Sequence, residues 1–199
     1  MTTKKVTIIP CVDFNMQEVK ILCNIHSLFS VVRNKINKKT LVVDFTYLAK
    51  KALNLYSEGE RVDVLDKYTF QKRKTLTVVK SELLGDYCLR VQFDEDIGDI
   101  EKNDLLESAD AKPEVYLNNC RSGNNRGRGF LVPAGRKTVI ENCVFYNLRS
   151  GIDANGASLT YLEGSAINGL VVRNNSFCDC ARRQCDYPIN IRPMSIDAR

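Results

Sequence analysis

The sequence predicts an all-β protein: a right-handed parallel β-helix over residues 113–199, preceded by a small antiparallel β-barrel-like insert. Three observations predict it. Short β-branched runs of strand length recur along the chain, residues 61–93 alternate apolar and polar side chains, and the C-terminal part carries an internal repeat.

The repeat comes first. Val-Tyr-Leu-Asn-Asn-Cys (115–120), Thr-Val-Ile-Glu-Asn-Cys (138–143) and Leu-Val-Val-Arg-Asn-Asn (170–175) align. Asn119, Asn142 and Asn174 then coincide, as do Leu117, Ile140 and Val172, and Phe145 matches Phe177. A second apolar run follows each copy: Gly-Phe-Leu-Val (129–132), Gly-Ile-Asp (151–153) and Pro-Ile-Asn-Ile (188–191). The copies stand 23 and 32 residues apart, one coil with its surplus expelled as a loop. A coil of short strands cannot bury its inward face alone, so it stacks on copies of itself. Turn asparagines tolerate left-handed backbone and hydrogen-bond to the coil above, while Cys120 and Cys143 pack inside as small buried residues. A leucine-rich repeat is the rival, and its LxxLxL frame is missing. Coil ends are edge strands, from which a homo-oligomer is expected.

The insert is expected at 58–112. Arg61–Asp66, Lys74–Lys80 and Tyr87–Phe93 alternate with period two around a turn at Gly85-Asp86, which puts Val62, Val64, Leu76, Val78, Leu89 and Val91 on one face. Asp104–Glu107 supplies a fourth short strand, and the acidic stretch from Asp94 to Glu107 reads as a solvated connection. Residues 1–57 form an N-terminal β segment of open role. A helix over Tyr47–Tyr56, where Leu48, Ala52, Leu53 and Tyr56 recur at helical spacing, fits that stretch equally well.

Composition narrows the function classes. At 44% hydrophobic and 27% charged residues the chain is of the ordinary globular type. The net charge of +5 is mild and the basic residues are scattered, so no nucleic-acid partner is expected. No run approaches the ~20 apolar residues of a membrane span, and the N-terminus lacks a signal-peptide pattern. The eight cysteines lack CxxC pairs and the chain's one histidine, His26, is remote from their tightest cluster, so free buried thiols are expected rather than a zinc site or a disulfide framework. No metal and no cofactor is expected.

At this level of detail the residues acquire a likeness. Asn119–Val132, Lys137–Phe145 and Tyr161–Phe177 resemble the β-helical α-galactosidases of glycoside hydrolase family 110, and Glu58–Gln71 resembles the small barrel inserted between coils in that family. The likeness covers about residues 58–192. It implies cleavage of terminal α-1,3-linked galactose with inversion and without a metal, by a shortened or diverged member, and a secreted or periplasmic bacterial setting. The family's paired aspartates upstream of the barrel have no counterpart in residues 1–57, and its Gly-Asp-Ala-Asn loop is replaced by Asn-Gly-Ala-Ser (155–158). The rival class is a non-catalytic glycan-binding or structural module.

Inverting hydrolysis needs two carboxyl groups ~6.5–9.5 Å apart. The acids of the repeat region are Glu141, Asp153, Glu163, Asp179 and Asp186. Glu141 falls at an outward strand position and is expected to be a solvated charge. Asp153 follows an inward isoleucine and faces outward, where a groove could lie. Glu163 keeps the family's aromatic-x-Glu pattern beside Tyr161 in the longest loop. Asp153 and Glu163 are therefore the candidate catalytic pair. Arg126, Arg128, Tyr161 and Asn155 are candidate substrate ligands. The arginines offer forked donors from the glycine-rich loop Ser122–Gly129, and Tyr161 or Tyr146 offers a ring to stack on a sugar. That loop reads equally as a coil turn whose glycines meet positive φ, with solvated arginines. Its likeness to an RGG-type RNA-binding segment is weak, with one short copy and no interleaved aromatics.

Overall fold

In a computed structural model the described residues are 5–8, 29–45, 56–85, 87–110, 112, 114–132, 136–155, 167–181 and 187–192. All their regular structure is β. In chain order the strands are β1 (Lys5–Ile8), β2 (Phe29–Asn37), β3 (Thr40–Asp44), β4 (Arg61–Leu65), β5 (Lys72–Gly85), β6 (Cys88–Phe93), β7 (Leu105–Ser108) and β8 (Glu114–Asn118). They continue as β9 (Arg121–Gly123), β10 (Arg128–Leu131), β11 (Thr138–Glu141), β12 (Val144–Leu148), β13 (Ser150–Asn155), β14 (Leu170–Arg173), β15 (Ser176–Cys180) and β16 (Ile189–Arg192). The chain divides into two compact units. One holds three parallel sheets, of order β1-β8-β11-β14, β10-β13-β16 and β15-β12-β9; the other is the closed antiparallel barrel β2-β3-β6-β5-β4-β7.

In the parallel unit, the residues that align in the sequence stand side by side. Ile140 pairs with Leu117 on one side and Val172 on the other, and Phe145 pairs with Phe177. Asn119, Asn142 and Asn174 all take left-handed backbone, at φ 55°, 56° and 53°, which turns the chain from one sheet to the next. The ladder bond runs one residue off the expected column: Asn142 Nδ2 donates to Asn118 Oδ1 at 2.8 Å. Asn175 takes the same task by different atoms, donating to the Ile140 carbonyl and accepting from the Cys143 amide. A second left-handed column, Asn124, Asn147 and Asp179, closes the next corner, with Asn147 Nδ2 donating to Asn124 Oδ1 at 2.8 Å. Inside, Phe145 is fully buried, stacked on Phe177 (centroids 5.0 Å apart, 8° between planes) and met edge-on by Phe130. Cys120 and Cys143 are buried beside them.

The barrel buries the predicted face: Val62, Val64, Leu76, Val78, Leu89 and Val91 all lie in its core. It takes two of its six strands from before residue 58. The β2–β3 hairpin pairs with β6 on one side and β7 on the other, which closes the sheet. Register shifts at Val32/Asn34 and Lys35/Asn37 interrupt the alternation of β2, so period two does not reveal it. The expected solvated connection from Asp94 to Glu107 holds for the exposed residues 94–96, 98–99 and 101–102 and is corrected for the rest. Ile97 and Ile100 join the core, and Asp104 and Glu107 are buried, because each carboxylate meets a cation there: Arg73 for Asp104 and Lys112 for Glu107. Of the helix expected over Tyr47–Tyr56, residues 47–55 lie outside the described residues, and Tyr56 sits in a turn at φ 56°.

Candidate functional site

The sheet β10-β13-β16 brings two of the predicted site residues together. Its middle strand β13 carries Asp153 between Leu131 of β10 and Asn190 of β16. Flanking Ile152 and Ala154 point into the core, so alternation turns Asp153 to the other face. Asp153 is nevertheless buried, and Arg128 at the start of β10 forms an ion pair with it through Nε. Parallel pairing sets Asp153 in mid-sheet on the side away from the core, with the Arg128 guanidinium against it. Asn190, also buried, donates through Nδ2 to Ser150 Oγ at 2.9 Å. Asn190 was missed in the sequence, although aligning Ile189 with Ile152 places it opposite Asp153.

Glycines shape this sheet from within. Neither Gly123, Gly127 nor Gly129 takes positive φ; Asn124 makes the turn instead. Gly129 and Gly151 are needed for room. A Cβ on Gly129 would stand 2.5 Å from the Gly151 carbonyl, and one on Gly151 would stand 2.6 Å from the Phe177 ring. Asn125 caps the same loop, its Oδ1 accepting from the Gly127 amide at 2.5 Å. Arg126 is exposed at this corner. Of the remaining candidates, Tyr161 and Glu163 lie outside the described residues, and Asn155 is described only as backbone, paired with Arg192.

Glu141 is the other correction. Expected as a solvated charge, it is buried on the outward side of β11 because its neighbours' side chains close over it. The Tyr116 hydroxyl donates to one oxygen and Arg173 Nε to the other at 2.5 Å. The Tyr116 hydrogen bond, then Arg173, holds the Glu141 carboxyl below its ordinary range, and the same bond raises the Tyr116 phenol. Both oxygens being occupied, Glu141 serves as a cross-strand tie. Asp179, another acid of the repeat region, sits in the second corner column; Asp186 lies outside the described residues.

Among the described residues no three of His, Cys, Asp and Glu are grouped to hold a metal ion, and no helix is long and apolar enough to cross a membrane. The described cysteines Cys88, Cys120, Cys143, Cys178 and Cys180 are free thiols, the first three buried.

No protein-family model matches the chain. Its similarity is to individual proteins. It is 30% identical over 161 residues, 79% of its length, to an alpha-1,3-galactosidase A of Bacteroides fragilis. It is 24% identical over 183 residues to an alpha-1,3-galactosidase A of Shewanella woodyi, and 25% over 176 residues to an alpha-1,3-galactosidase B of Bacteroides thetaiotaomicron, each match covering 85% of the chain. The chain spans 27% to 28% of these relatives, about a quarter of their length. By these similarities the chain is a partial, distant match to the alpha-1,3-galactosidase family.

Proposed function

We propose that the chain is the carbohydrate-handling part of an α-1,3-galactosidase-like glycoside hydrolase. On this reading its three parallel sheets are the faces of a right-handed parallel β-helix, and the outward side of β10-β13-β16 meets a glycan ending in α-linked galactose. The observation that carries the proposal is the buried mid-sheet carboxylate of Asp153, ion-paired with the exposed Arg128. A carboxylate so paired suits the base that activates water in metal-independent inverting hydrolysis, with Glu163 as the acid. Arg126, Tyr161 and Asn155 would then hold the sugar. The name of the relatives supports the substrate class.

The alternative is a non-catalytic glycan-binding module. It is favoured by one observation: Asp153 is the single carboxylate of β10, β13 and β16, whereas inversion needs two. Galactose release from an α-1,3-linked galactose disaccharide separates the two. Release with the β-anomer formed first, abolished by Asp153→Asn or Glu163→Gln, is the expected result. Binding of the disaccharide without release would replace the hydrolase by the binding module.

A further inference from the structure

The outward side of the third sheet, β9-β12-β15, is built differently from that of the Asp153 sheet. Its pairing register sets Arg121, Val144 and Ser176 in one row and Gly123, Tyr146 and Cys178 in the next. Phe145 points into the core, so Tyr146 points out. The tyrosine is flanked in its row by two small residues, Gly123 and Cys178. Its ring folds over Gly123: a Cβ there would stand 2.6 Å from both Cε1 and Cζ. The glycine therefore leaves a seat that any other residue would fill. The Arg121 guanidinium lies over the ring, 6.0 Å from its centroid. No hydrogen bond to the Tyr146 hydroxyl is made among the described residues, and the residue is half-buried.

We propose that Tyr146, seated on Gly123 and flanked by Arg121, is a sugar-stacking platform that binds a hexose of the glycan at a subsite separate from Asp153 and Arg128. An aromatic ring fixed against a sheet offers its outer side to the C–H face of a hexose at little cost in side-chain entropy, because its rotamer is already held. The adjacent guanidinium and the phenol hydroxyl supply donors for the equatorial or axial hydroxyls at the rim of that ring. Galactose is the fitting ligand because the choice of sugar rests on the proposed function. The platform itself rests on the geometry of β9 and β12. A Leu or Val at 146 would cover Gly123 equally well, so packing alone does not call for a tyrosine.

The test is saturation-transfer NMR with methyl α-D-galactopyranoside on the full chain, run in an Asp153→Asn/Arg128→Ala background that removes the first site. The expected result is a signal that persists in this background and weakens about tenfold or more with Tyr146→Leu, the loss of ~1.4 kcal/mol of stacking. Tyr146→Leu keeps the cover over Gly123, so loss of binding with an unchanged melting temperature assigns the effect to the ring. Arg121→Ala should weaken the signal as well. Binding that vanishes in the Asp153→Asn/Arg128→Ala background yet survives Tyr146→Leu would overturn the platform and leave the proposed function standing. No binding in any variant, with galactose still released by the wild type, would overturn it too.

Discussion

The seat of Phe177 against Gly151 makes a quantitative prediction. A methyl at Gly151 would stand 2.6 and 2.7 Å from two Phe177 ring atoms and 3.0 Å from the Pro188 carbonyl. The ring cannot retreat, because Phe145 is stacked on its other side at 5.0 Å. Gly151→Ala therefore overpacks the core and should cost about 1–3 kcal/mol. In a protein of this length that lowers the melting transition by roughly 2–4 °C per kcal/mol, so by about 2–12 °C. Phe177→Ala removes the obstructing atoms and leaves only the contact with Pro188. In that background Gly151→Ala should cost little, so the double-mutant cycle should return a coupling of about 1 kcal/mol or more. The assay is thermal unfolding by circular dichroism, following the transition that Phe177→Ala itself shifts. Equal costs of Gly151→Ala in both backgrounds would show that the ring is not the obstacle and refute the reasoning.

Asp179 occupies the corner column that Asn124 and Asn147 fill with amides, and Asn147 Oδ1 is buried there without a hydrogen bond. Asp179→Asn supplies the missing donor and should stabilise by about 1 kcal/mol, seen as a higher melting temperature. In the barrel, Lys112 Nζ lies 2.8 Å from Asp63 and 2.9 Å from Glu107, both carboxylates being buried. Lys112→Met strands the two charges and should cost about 3–5 kcal/mol in a urea titration; a loss under 1 kcal/mol would mean that the pair is relieved by other groups. Burial pushes the Asp63 carboxyl up, but hydrogen bonds from Lys112 and Thr75 outweigh it and leave the carboxyl below its ordinary value. A lowered carboxyl stabilises above its unfolded pKa and loses that stability as pH falls through the folded value. Asp63→Asn should therefore flatten the loss of stability below about pH 4, and an unchanged acid limb would count against the assignment. Glu141, lowered by Tyr116 and Arg173, gives the same sign: Glu141→Gln should reduce the acid sensitivity of the melting temperature.

Much of the parallel unit was legible because its signals are local. The columns Asn119/Asn142/Asn174 and Leu117/Ile140/Val172 follow from turn chemistry and from which side chains must face inward. The apolar face of the barrel was legible for the same reason, being a matter of alternation along β4, β5 and β6. The barrel's first two strands were legible as β-branched runs of strand length, but their place in the barrel was not, since only the pairing of β2 with β7 and of β3 with β6 brings them there. The site was half legible. Asp153 and Arg128 were named singly from their residue types and loop, and only pairing of β10 with β13 unites them.

The sequence by itself thus determined the all-β class, the inward columns and the left-handed residues at the sheet corners, because each depends on neighbours within one strand or one turn. The tertiary structure decided the fate of the charges. Glu141, Asp153, Asp104 and Glu107 were all open to a solvated reading, and all are buried because a cation or hydroxyl covers them, from a sequence-distant strand for the first three and from Lys112 beyond the end of β7 for Glu107. A charge is buried only when a partner repays its desolvation, and a partner 25 or 32 residues away, as Arg128 and Arg173 are, becomes a neighbour only when the strands pair.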